Sequence, residues 1–419
     1  MILRKIYVLP ILFIIICFLL TNLYFMHILF NNSKEVSIEY KPSSTFIKEI
    51  VQKSQSLSRI YLQKNLDSNK IVQNIKNNFK LNYVQGISTL HDVFLNWPKG
   101  NKLYPDNSTI VGSLLYFLAN SKIITSDIAP KGTQLKLLLT LEGGMKAIFK
   151  PRWFERNFII EGPVYAGKDR DNAEILAFYL AAILGLQSAP IAISRKILRK
   201  ELTSTQIGKL KKTMFYNDQG KYCFYGKCHY CTIKEPVCED DFGGVDGVMI
   251  QYLNIEDGLL VKRSPWQRTY KETIRARWEI DHNYCKNIKN ELTSERLLDL
   301  IDMSIVDFLL QNGDRHHYET FEDRTLLLDN GKGLGNPYID HIDILAPFYQ
   351  CCMIRKNMWE RLLMFAGGSL SETIRKLIVN EPLHPIVIEP HLEALDRRLK
   401  IIYSVYEICK NRISRDILK

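Results

Sequence analysis

The sequence predicts an α+β fold in which a strand-rich half is followed by a helical half. Two short apolar runs, Leu135–Leu141 and Met145–Lys150, are separated by Glu142-Gly143-Gly144, which is the pattern of a β-hairpin. A third apolar run, Val248–Leu253, has the length of a buried strand. From residue 356 to the C-terminus, apolar residues recur at helical spacing instead. At 419 residues, the chain is long enough for one two-lobed domain or two ordinary domains.

The N-terminus contains a hydrophobic segment that is long enough to cross a bilayer. Residues 6–33 include no Asp, Glu, Lys or Arg, and Arg4 and Lys5 precede them. A cleaved signal peptide usually has a shorter apolar core and a small-residue cleavage site, and no clear site of that kind is present. We therefore predict a type II signal anchor over residues 6–30, with residues 1–5 in the cytoplasm and the rest of the chain in the lumen. A cleaved signal peptide is the alternative interpretation.

The predicted luminal part divides into three regions. Residues 31–80 are predicted to form a stem and an N-terminal helical segment, because a polar stretch is followed by helical spacing. Residues 81–250 are predicted to form the strand-rich lobe with an N-terminal extension, and residues 251–419 the helical lobe. Within these lobes, the apolar patterns at 171–184 and 295–311 predict two helices.

Eight of the nine cysteines lie outside the predicted anchor, and an even number in a luminal domain favours disulfide bonds. The eight are Cys223, Cys228, Cys231, Cys238, Cys285, Cys351, Cys352 and Cys409. The first four are spaced closely enough for a zinc site, which is the alternative to disulfides there. The adjacent pair Cys351-Cys352 seldom forms a bond within itself, so each of its members needs a more distant partner.

The surface carries two further signals. The sequon Asn107-Ser108-Thr109 predicts an N-linked glycan on Asn107. The net charge of +11 suits contact with anionic glycans, or simply solubility. No aromatic-basic recognition motif stands out, so no nucleic-acid partner is predicted.

Five charged residues occur in the order and local context of a phosphoryl-transfer site. Lys150 ends the second hairpin strand, where a lysine can contact nucleotide phosphates, and Glu174 on the next helix can pair with it. Asp314 follows a predicted helix and can orient an acceptor hydroxyl. Glu319 comes five residues later, and Asp329 ends an apolar run before Asn-Gly. The order of these five residues predicts a protein-kinase-like fold. The carboxylates among them suit hard cations such as Mg²⁺ and Mn²⁺.

The sequence resembles the secretory-pathway kinases of the family with sequence similarity 20 over roughly residues 104–410. Protein kinases usually have a loop Gly-x-Gly-x-x-Gly before the strand that carries the lysine. This sequence has only Gly132 at that place, and the kinases that it resembles lack the loop as well. The shared motifs are Lys131-Gly-Thr-Gln-Leu-Lys136, Leu141-Glu-Gly-Gly144, Phe149-Lys-Pro151, Asp169-Arg-x-Asn-Ala-Glu174, Cys223-Phe-Tyr-Gly-Lys-Cys228, Asp314-Arg-His-His-Tyr-Glu319, Leu328-Asp-Asn330 and Gln350-Cys-Cys352. The resemblance implies an atypical two-lobed kinase-like fold, stabilised by disulfides, that uses ATP and Mn²⁺, with Mg²⁺ as the alternative metal.

The resemblance also implies roles for the acidic residues. Asp314 would be the catalytic acid/base residue. Asp169 and Asp329 would hold the metal ion, with Asp329 also beside the nucleotide. Glu319 would contact the nucleotide or the metal, at the position where other kinases have an asparagine.

The nucleotide itself would be held by residues from both halves. Gln134 and Lys150 would bind ATP, and Glu174 would brace Lys150. The segment Leu253-Asn254-Ile255-Glu256, at the exit of the third predicted strand, would be the hinge that contacts adenine.

The family pattern also implies a disulfide framework. The implied pairs are Cys223–Cys238 and Cys228–Cys231, with Cys285 and Cys409 taking Cys351 and Cys352 in an order that is left open. A pairing of this kind would make the chain a luminal protein of the secretory pathway, and the resemblance places it at the Golgi membrane.

Members of this family phosphorylate either serine in secreted proteins or the 2-hydroxyl of xylose in the glycosaminoglycan–protein linkage region. The segments Glu161–Gly167 and Cys228-x2-Cys231 resemble the xylose-directed members, whereas 318–322 and 390–398 resemble the serine-directed ones. The first two flank the cleft in the expected fold, so we predict an ATP-dependent xylosylkinase that acts on the galactosyl-xylose linkage glycan. A secretory-pathway protein serine kinase is the alternative, followed by a pseudokinase partner. The sequence predicts no oligomeric state.

Overall fold

The computed structural model describes residues 20–22, 45–65, 67–83, 90, 92–93, 102–255, 258–271, 273–281, 283–412 and 417–419. Apart from residues 20–22, the predicted anchor at 6–30 lies outside the described residues, and so does the polar stretch that follows it. In the described part of the chain, no helix has the length and apolar character needed to span a membrane. Pro42–Lys419 forms one compact unit.

The α-helices of the described residues are numbered in chain order. They are α1 Thr45–Gln55, α2 Ser68–Asn78, α3 Ile110–Asn120, α4 Asp171–Ile183, α5 Arg199–Thr205, α6 Gly208–Lys211, α7 Arg277–Ile280, α8 Tyr284–Glu291, α9 Ser294–Leu310, α10 Ala346–Cys351, α11 Lys356–Met364, α12 Ser369–Ile378 and α13 Glu389–Arg412. The helices predicted at 171–184 and 295–311 are confirmed as α4 and α9.

The strands lie mainly before residue 264. They are β1 Ile123–Ile128, β2 Leu137–Leu141, β3 Lys146–Pro151, β4 Ala192–Leu198, β5 Met214–Tyr216, β6 Tyr222–Phe224, β7 Val237–Cys238, β8 Gly244–Gln251, β9 Leu259–Arg263, β10 His317–Phe321 and β11 Arg324–Leu326. The predicted α+β class, with a strand-rich part before a helical part, is confirmed.

A five-stranded antiparallel sheet in the order β1-β2-β3-β8-β4 forms the centre of the strand-rich half. The predicted hairpin is its β2–β3 pair, in which Leu137 lies opposite Phe149. Leu137, Leu139 and Leu141 are all buried and alternate with less buried residues, as expected for a strand with one face on the core. Strand β2 begins two residues later than the apolar run because Leu135 and Lys136 belong to the loop that follows β1.

Helix α4 joins the two halves of the molecule. All of its residues are buried, because its sequence is apolar on nearly every side after the first turn. It packs against β4 and β8 and also against α9 of the helical half. Gly185 follows it with φ 76°, a conformation that glycine adopts without steric cost and that commonly ends helices.

Four disulfide bonds are formed, and they settle the order that the sequence left open. The pairs are Cys223–Cys238, Cys228–Cys231, Cys285–Cys351 and Cys352–Cys409. The last two connect α8 to Cys351, the last residue of α10, and α13 to Cys352, which follows it, across 66 and 57 residues of sequence. In the chain-entropy account, a loop of that length contributes on the order of 4 kcal/mol to stability.

The N-terminal helices belong to the body of the helical half. Helix α1 packs against α13, and α2 packs against α12. Tyr61, between them, stacks on Tyr403 with ring centroids 4.8 Å apart and donates a hydrogen bond to Glu407. The residues that follow the predicted stem therefore add to the core.

Candidate active site

Lys150 lies at the centre of the candidate site, with 8% of its side chain exposed. Its ammonium nitrogen is 2.7 Å from Glu174 Oε1, 2.8 Å from Asp329 Oδ1 and 3.1 Å from Asp169 Oδ2. Burial lowers the pKa of Lys150, but the three carboxylates outweigh burial and hold this pKa well above its ordinary value. Lys150 is therefore a charged lysine that gathers three acids from distant parts of the sequence. We call these four residues the lysine cluster.

Glu174, in the first turn of α4, holds both Lys150 and the segment after β11. Its Oε1 also accepts a hydrogen bond from the backbone N–H of Asn330, at 3.1 Å, and its Oε2 accepts one from the Asn330 side-chain amide, at 3.0 Å. The preceding residue, Asp329, has a left-handed conformation with φ 54°. The sequence assigned no role to Asn330, although it proves to fix the position of Asp329 relative to α4.

The two predicted metal ligands differ in exposure. Asp169 is buried directly before α4, whereas 66% of the Asp329 side chain is exposed. Burial raises the pKa of Asp169, and the charge of Lys150 lowers the pKa of Asp329 below its usual range. A Cβ on Gly331 would lie 2.6 Å from Asp169 Cγ, so only glycine allows the two segments to approach this closely.

Gln134 lies beside this cluster, in the loop at 129–136 that joins β1 to β2. Its side-chain oxygen accepts a hydrogen bond from the backbone N–H of Asp169, at 3.3 Å. The carbonyl of its neighbour Thr133 accepts one from the backbone N–H of Tyr230, at 3.1 Å, inside the Cys228–Cys231 disulfide loop. The disulfide loop thus reaches the predicted nucleotide loop directly.

Asp314 lies in a less buried environment than the lysine cluster. Its side chain is 26% exposed, and its Oδ1 accepts a hydrogen bond of 2.5 Å from the Tyr270 hydroxyl. Burial is the largest cause of a raised pKa of Tyr270, and the hydrogen bond to Asp314 is the next largest, so the hydroxyl stays protonated. His316 Nδ1 lies 2.8 Å from the Asp314 carbonyl oxygen. The pKa of His316 is raised chiefly by hydrogen bonding to the Asp314 side chain.

The loop at 161–167 packs against the residues that carry Asp314. The Val164 side chain occupies the space where a side chain on Gly313 would have to lie. Tyr165 meets Tyr270 edge to face, with ring centroids 4.8 Å apart. This loop therefore forms one wall of the space around Asp314, as expected from the sequence segments that flank the cleft.

Arg170 holds this loop in place, although the sequence gave it no role of its own. Its guanidinium donates to the Gly333 carbonyl at 2.7 Å and to the Ala166 carbonyl at 3.0 Å. It also donates to the carbonyls of Lys168 and Lys332. One side chain thus connects the 161–167 loop to the segment that follows Asp329.

Arg315 connects the surroundings of Asp314 with those of Asp329. It forms two hydrogen bonds with Asp307 of α9, at 2.8 and 2.9 Å, and donates to the Asn330 side-chain oxygen at 2.9 Å. It also donates to the Leu328 carbonyl. Sequence reasoning included Arg315 only as part of a motif. A charged residue directly after a candidate catalytic acid was the available signal.

Glu319 and the predicted hinge form no direct contact with Lys150 among the described residues. Glu319 is on β10 opposite Leu326 and Val261, and no described residue hydrogen-bonds to its buried Oε2. Burial raises the pKa of this carboxyl group. Leu253, Asn254 and Ile255 follow β8 after one intervening residue, Tyr252, and Ile255 is buried. Glu256 lies outside the described residues, and the adenine contact stays a prediction.

The acidic residues of the cleft fit a divalent cation that is shared with a nucleotide. Asp169 and Asp329 supply carboxylate oxygens, which hard cations prefer. Within the described ranges, no group of three His, Cys, Asp or Glu side chains is placed to hold a metal ion alone. Two carboxylates completed by phosphate oxygens and water form an ordinary donor set for a nucleotide-bound metal. Glu319 has a buried oxygen without a hydrogen-bond partner among the described residues, and the charge of Asp329 acts on this carboxyl group.

Comparison with known proteins decides the family. The profile of the family described as Golgi casein kinase, C-terminal, Fam20 matches residues 89–417. The chain belongs to the Fam20 family. A Drosophila melanogaster relative named glycosaminoglycan xylosylkinase homolog is 44% identical, with 86% of each chain covered. The human glycosaminoglycan xylosylkinase is 40% identical over 78% of this chain and 81% of its own length.

Solved Fam20 structures confirm the kinase-like fold. The structure of hydra Fam20 with sugar has a TM-score of 0.74 and 36% identity, covering 79% of this chain and 98% of its own. The crystal structure of the Golgi casein kinase with Mn/ADP bound has a TM-score of 0.74 and 28% identity, covering 91% and 94%. The family resemblance expected from the sequence motifs is therefore confirmed, and a member of this family binds manganese and a nucleotide.

Proposed function

We propose that this chain is an ATP-dependent kinase that phosphorylates the 2-hydroxyl of xylose in the glycosaminoglycan–protein linkage region. The observation that carries the proposal is the proximity of two sites, because Arg315, next to Asp314, donates a hydrogen bond to Asn330, next to Asp329. The lysine cluster offers a cation and metal-binding carboxylates to a nucleotide, and Asp314 offers an accessible carboxylate that already binds a hydroxyl group. Relatives named glycosaminoglycan xylosylkinase, at 40–44% identity, support the sugar acceptor.

The lysine cluster would serve the nucleotide. Lys150 would contact the phosphates, since its charge is maintained by its carboxylate partners and its orientation is fixed by Glu174. Gln134 would bind the nucleotide from the loop at 129–136. Asp169 and Asp329 would hold the metal ion, Mn²⁺ or alternatively Mg²⁺. When bound, the metal neutralises charge on the phosphates.

Asp314 would position the acceptor and take its proton. A carboxylate within hydrogen-bond reach of an alcohol orients its oxygen toward the phosphorus and accepts the proton as the new bond forms. The Tyr270 hydroxyl fixes one oxygen of Asp314, and Arg315 fixes the backbone segment that carries it. Rigid positioning of this kind is the main contribution that a protein makes to phosphoryl transfer.

The sugar acceptor is favoured by the segments that enclose Asp314. The 161–167 loop contacts Gly313 and Tyr270, and Lys168 at its end pairs with Glu235 at 2.9 Å, close to the Cys228–Cys231 loop. These are the two segments that resemble the xylose-directed members of the family. The 161–167 loop lies beside Asp314, where residues that choose the acceptor are expected, and the Lys168–Glu235 ion pair joins it to the region of the disulfide loop.

The proposal includes a location in the secretory pathway. Four disulfide bonds suit an oxidising compartment. Asn107 is exposed on the surface, as a glycosylated asparagine must be, and its side-chain oxygen accepts a hydrogen bond from Asn74. We place the chain at the Golgi membrane through the hydrophobic segment at 6–30, with the galactosyl-xylose linkage glycan of proteoglycans as its partner.

The test is transfer from labelled ATP to a galactosyl-xylose glycoside by the full-length chain in the presence of Mn²⁺. The expected product is a phosphomonoester on the xylose 2-hydroxyl, which two-dimensional NMR of the isolated glycoside identifies through its phosphorus–proton coupling. Phosphate on the galactose, or no ATP-dependent transfer to the glycoside at all, would refute the proposal.

A further inference from the structure

The loop at 129–136 stands where protein kinases have a glycine-rich loop, yet Gly132 is its only glycine. In protein kinases that loop covers the nucleotide phosphates. Here the loop is closed by a hydrogen bond of 2.9 Å from the Ala129 N–H to the Lys136 carbonyl. The bonds of Thr133 and Gln134 described above hold it to the disulfide loop and to the lysine cluster. Its backbone is therefore fixed, and side chains are available to bind phosphate.

Lys136 folds back over this loop toward the lysine cluster. A Cβ on Gly132 would lie 2.7 Å from both Cε and Nζ of Lys136, and Gly132 has φ 116°. Glycine is thus required there both for the backbone conformation and for the path of the lysine. Burial and the neighbouring charge of Lys150 lower the pKa of Lys136, while the three carboxylates of the cluster raise it. Its ammonium group therefore lies within the field of the cluster.

In the part of the chain that the structure describes, no carboxylate forms a direct ion pair with Lys136. The three acids of the cluster each bind Lys150 instead. Lys332 forms the other contact with Asp169, at 4.0 Å. The half-buried ammonium group of Lys136 therefore has N–H donors that remain able to bind an anion.

We propose that Lys136 is a second phosphate-binding lysine, which holds the polyphosphate from the loop side while Lys150 holds it from the sheet side. A side-chain ammonium group would thereby replace the glycine-rich loop that this chain lacks. The inference rests on the proposed ATP-dependent function and adds a residue to its nucleotide site.

Nucleotide binding by the full-length chain tests this inference. Titration calorimetry in Mn²⁺ compares ATP, ADP and adenosine for the wild-type chain and for Lys136→Met, Lys136→Arg and Lys131→Met. Methionine keeps the apolar stem of the lysine but removes its charge, and Lys131 is an exposed lysine of the same loop. Loss of one charge-assisted hydrogen bond corresponds to about 10- to 100-fold in affinity.

Lys136→Met should therefore weaken the binding of ATP and ADP by about 10-fold or more. It should leave the affinity for adenosine unchanged, because adenosine has no phosphate. Lys136→Arg should restore most of the ATP affinity, and Lys131→Met should behave as wild type. Equal ATP affinity in Lys136→Met and Lys131→Met would overturn the inference. An equal loss of affinity for ATP and for adenosine in Lys136→Met would also overturn it. Absence of ATP binding by the wild-type chain would overturn the proposed function together with this inference.

Discussion

The lysine cluster and the surroundings of Asp314 are built in different ways. Lys150, Asp169 and Glu174 are buried, and direct ion pairs connect Lys150 to every acid of the cluster. Asp314 is partly exposed and is positioned by one hydroxyl group and by packing on its neighbour Gly313. The first region is held by electrostatics and the second by the shape of several loops. Two regions of one cleft can therefore be altered separately, by charge in one case and by packing in the other.

The largest effect is expected from Lys150→Met. The change leaves Asp169 and Glu174 buried without their counter-charge, and breaking a buried ion pair from one side costs about 3–5 kcal/mol. We expect both phosphoryl transfer and ATP binding to be lost, with a lower melting temperature, measured by calorimetry and thermal denaturation. The matched control is Lys146→Met, which changes an exposed lysine on the same strand. It should leave phosphoryl transfer, ATP binding and the melting temperature unchanged. Retention of ATP affinity by Lys150→Met would contradict the role of the cluster.

Asp314→Asn should separate the two regions. Loss of a general base typically lowers the rate by about 10²–10⁴-fold, whereas the lysine cluster is untouched. We expect kcat to fall by that amount and ATP affinity to stay within about twofold of wild type. Steady-state kinetics and ATP titration measure the two effects, with the exposed acid Asp323→Asn as the control. Wild-type transfer rates in Asp314→Asn would show that this carboxylate does not act on the acceptor.

Tyr270→Phe should have a smaller effect that is confined to the acceptor side. It removes the 2.5 Å hydrogen bond to Asp314 but keeps the ring that packs on Tyr165. A hydrogen bond to a charged group is worth about 1.5–3 kcal/mol, so we expect kcat to fall by roughly 10- to 100-fold. The KM for ATP should not change, and the exposed Tyr338→Phe should be silent. A fall in ATP affinity with unchanged kcat would place Tyr270 in the nucleotide region instead.

The smallest effect concerns Asp302 on α9, the helix that leads to Asp314. Burial raises the pKa of Asp302 to about 7, although Arg355 beside it acts in the opposite direction. The folded chain thus keeps a proton that the unfolded chain releases above about pH 4. The contribution of this group to stability is present below about pH 4 and is lost as the pH rises through about 7.

Asp302→Asn should flatten that dependence, because asparagine does not titrate in this range. Arg355 would keep its other partners, Glu295 and Asp299, at 2.9 and 2.8 Å. Melting temperatures of the wild-type chain and of Asp302→Asn should be measured between pH 4 and 7.5. They should be similar near pH 4, and the melting temperature of the wild-type chain should fall more steeply as the pH rises. An equally steep profile in Asp302→Asn would show that another group titrates.

The difference between the lysine cluster and the surroundings of Asp314 also explains how much of the site the sequence could predict. Lys150, Glu174 and Asp329 were found because each stands in a recognisable local context: a strand end, a helix start and a strand exit before Asn-Gly. Their meeting in space follows from the order of those elements. The partners of Cys351 and Cys352 stayed open because neighbouring cysteines have equivalent positions in a sequence.

The acceptor side was less predictable, because it is assembled from loops without periodic pattern. Tyr270 lies in an irregular segment with φ 57°, and nothing in its local sequence indicates a contact with a residue 44 positions later. Arg170 acts on backbone carbonyls, which carry no sequence signal at all. Asn330 and Gly331 were visible only as part of the motif around Asp329, with no role of their own. Such contacts depend on tertiary packing and require the structure.

The proposed function requires a nucleotide site that faces an acceptor site for a sugar. One competition experiment tests this most directly. The full-length chain, labelled ATP and Mn²⁺ are incubated with equal molar amounts of a galactosyl-xylose glycoside and casein, and the label in each product is counted. We expect nearly all label to enter the glycoside, and Asp314→Asn to lower the rate of this labelling by about 10²–10⁴-fold. Label that enters only casein would contradict the sugar assignment.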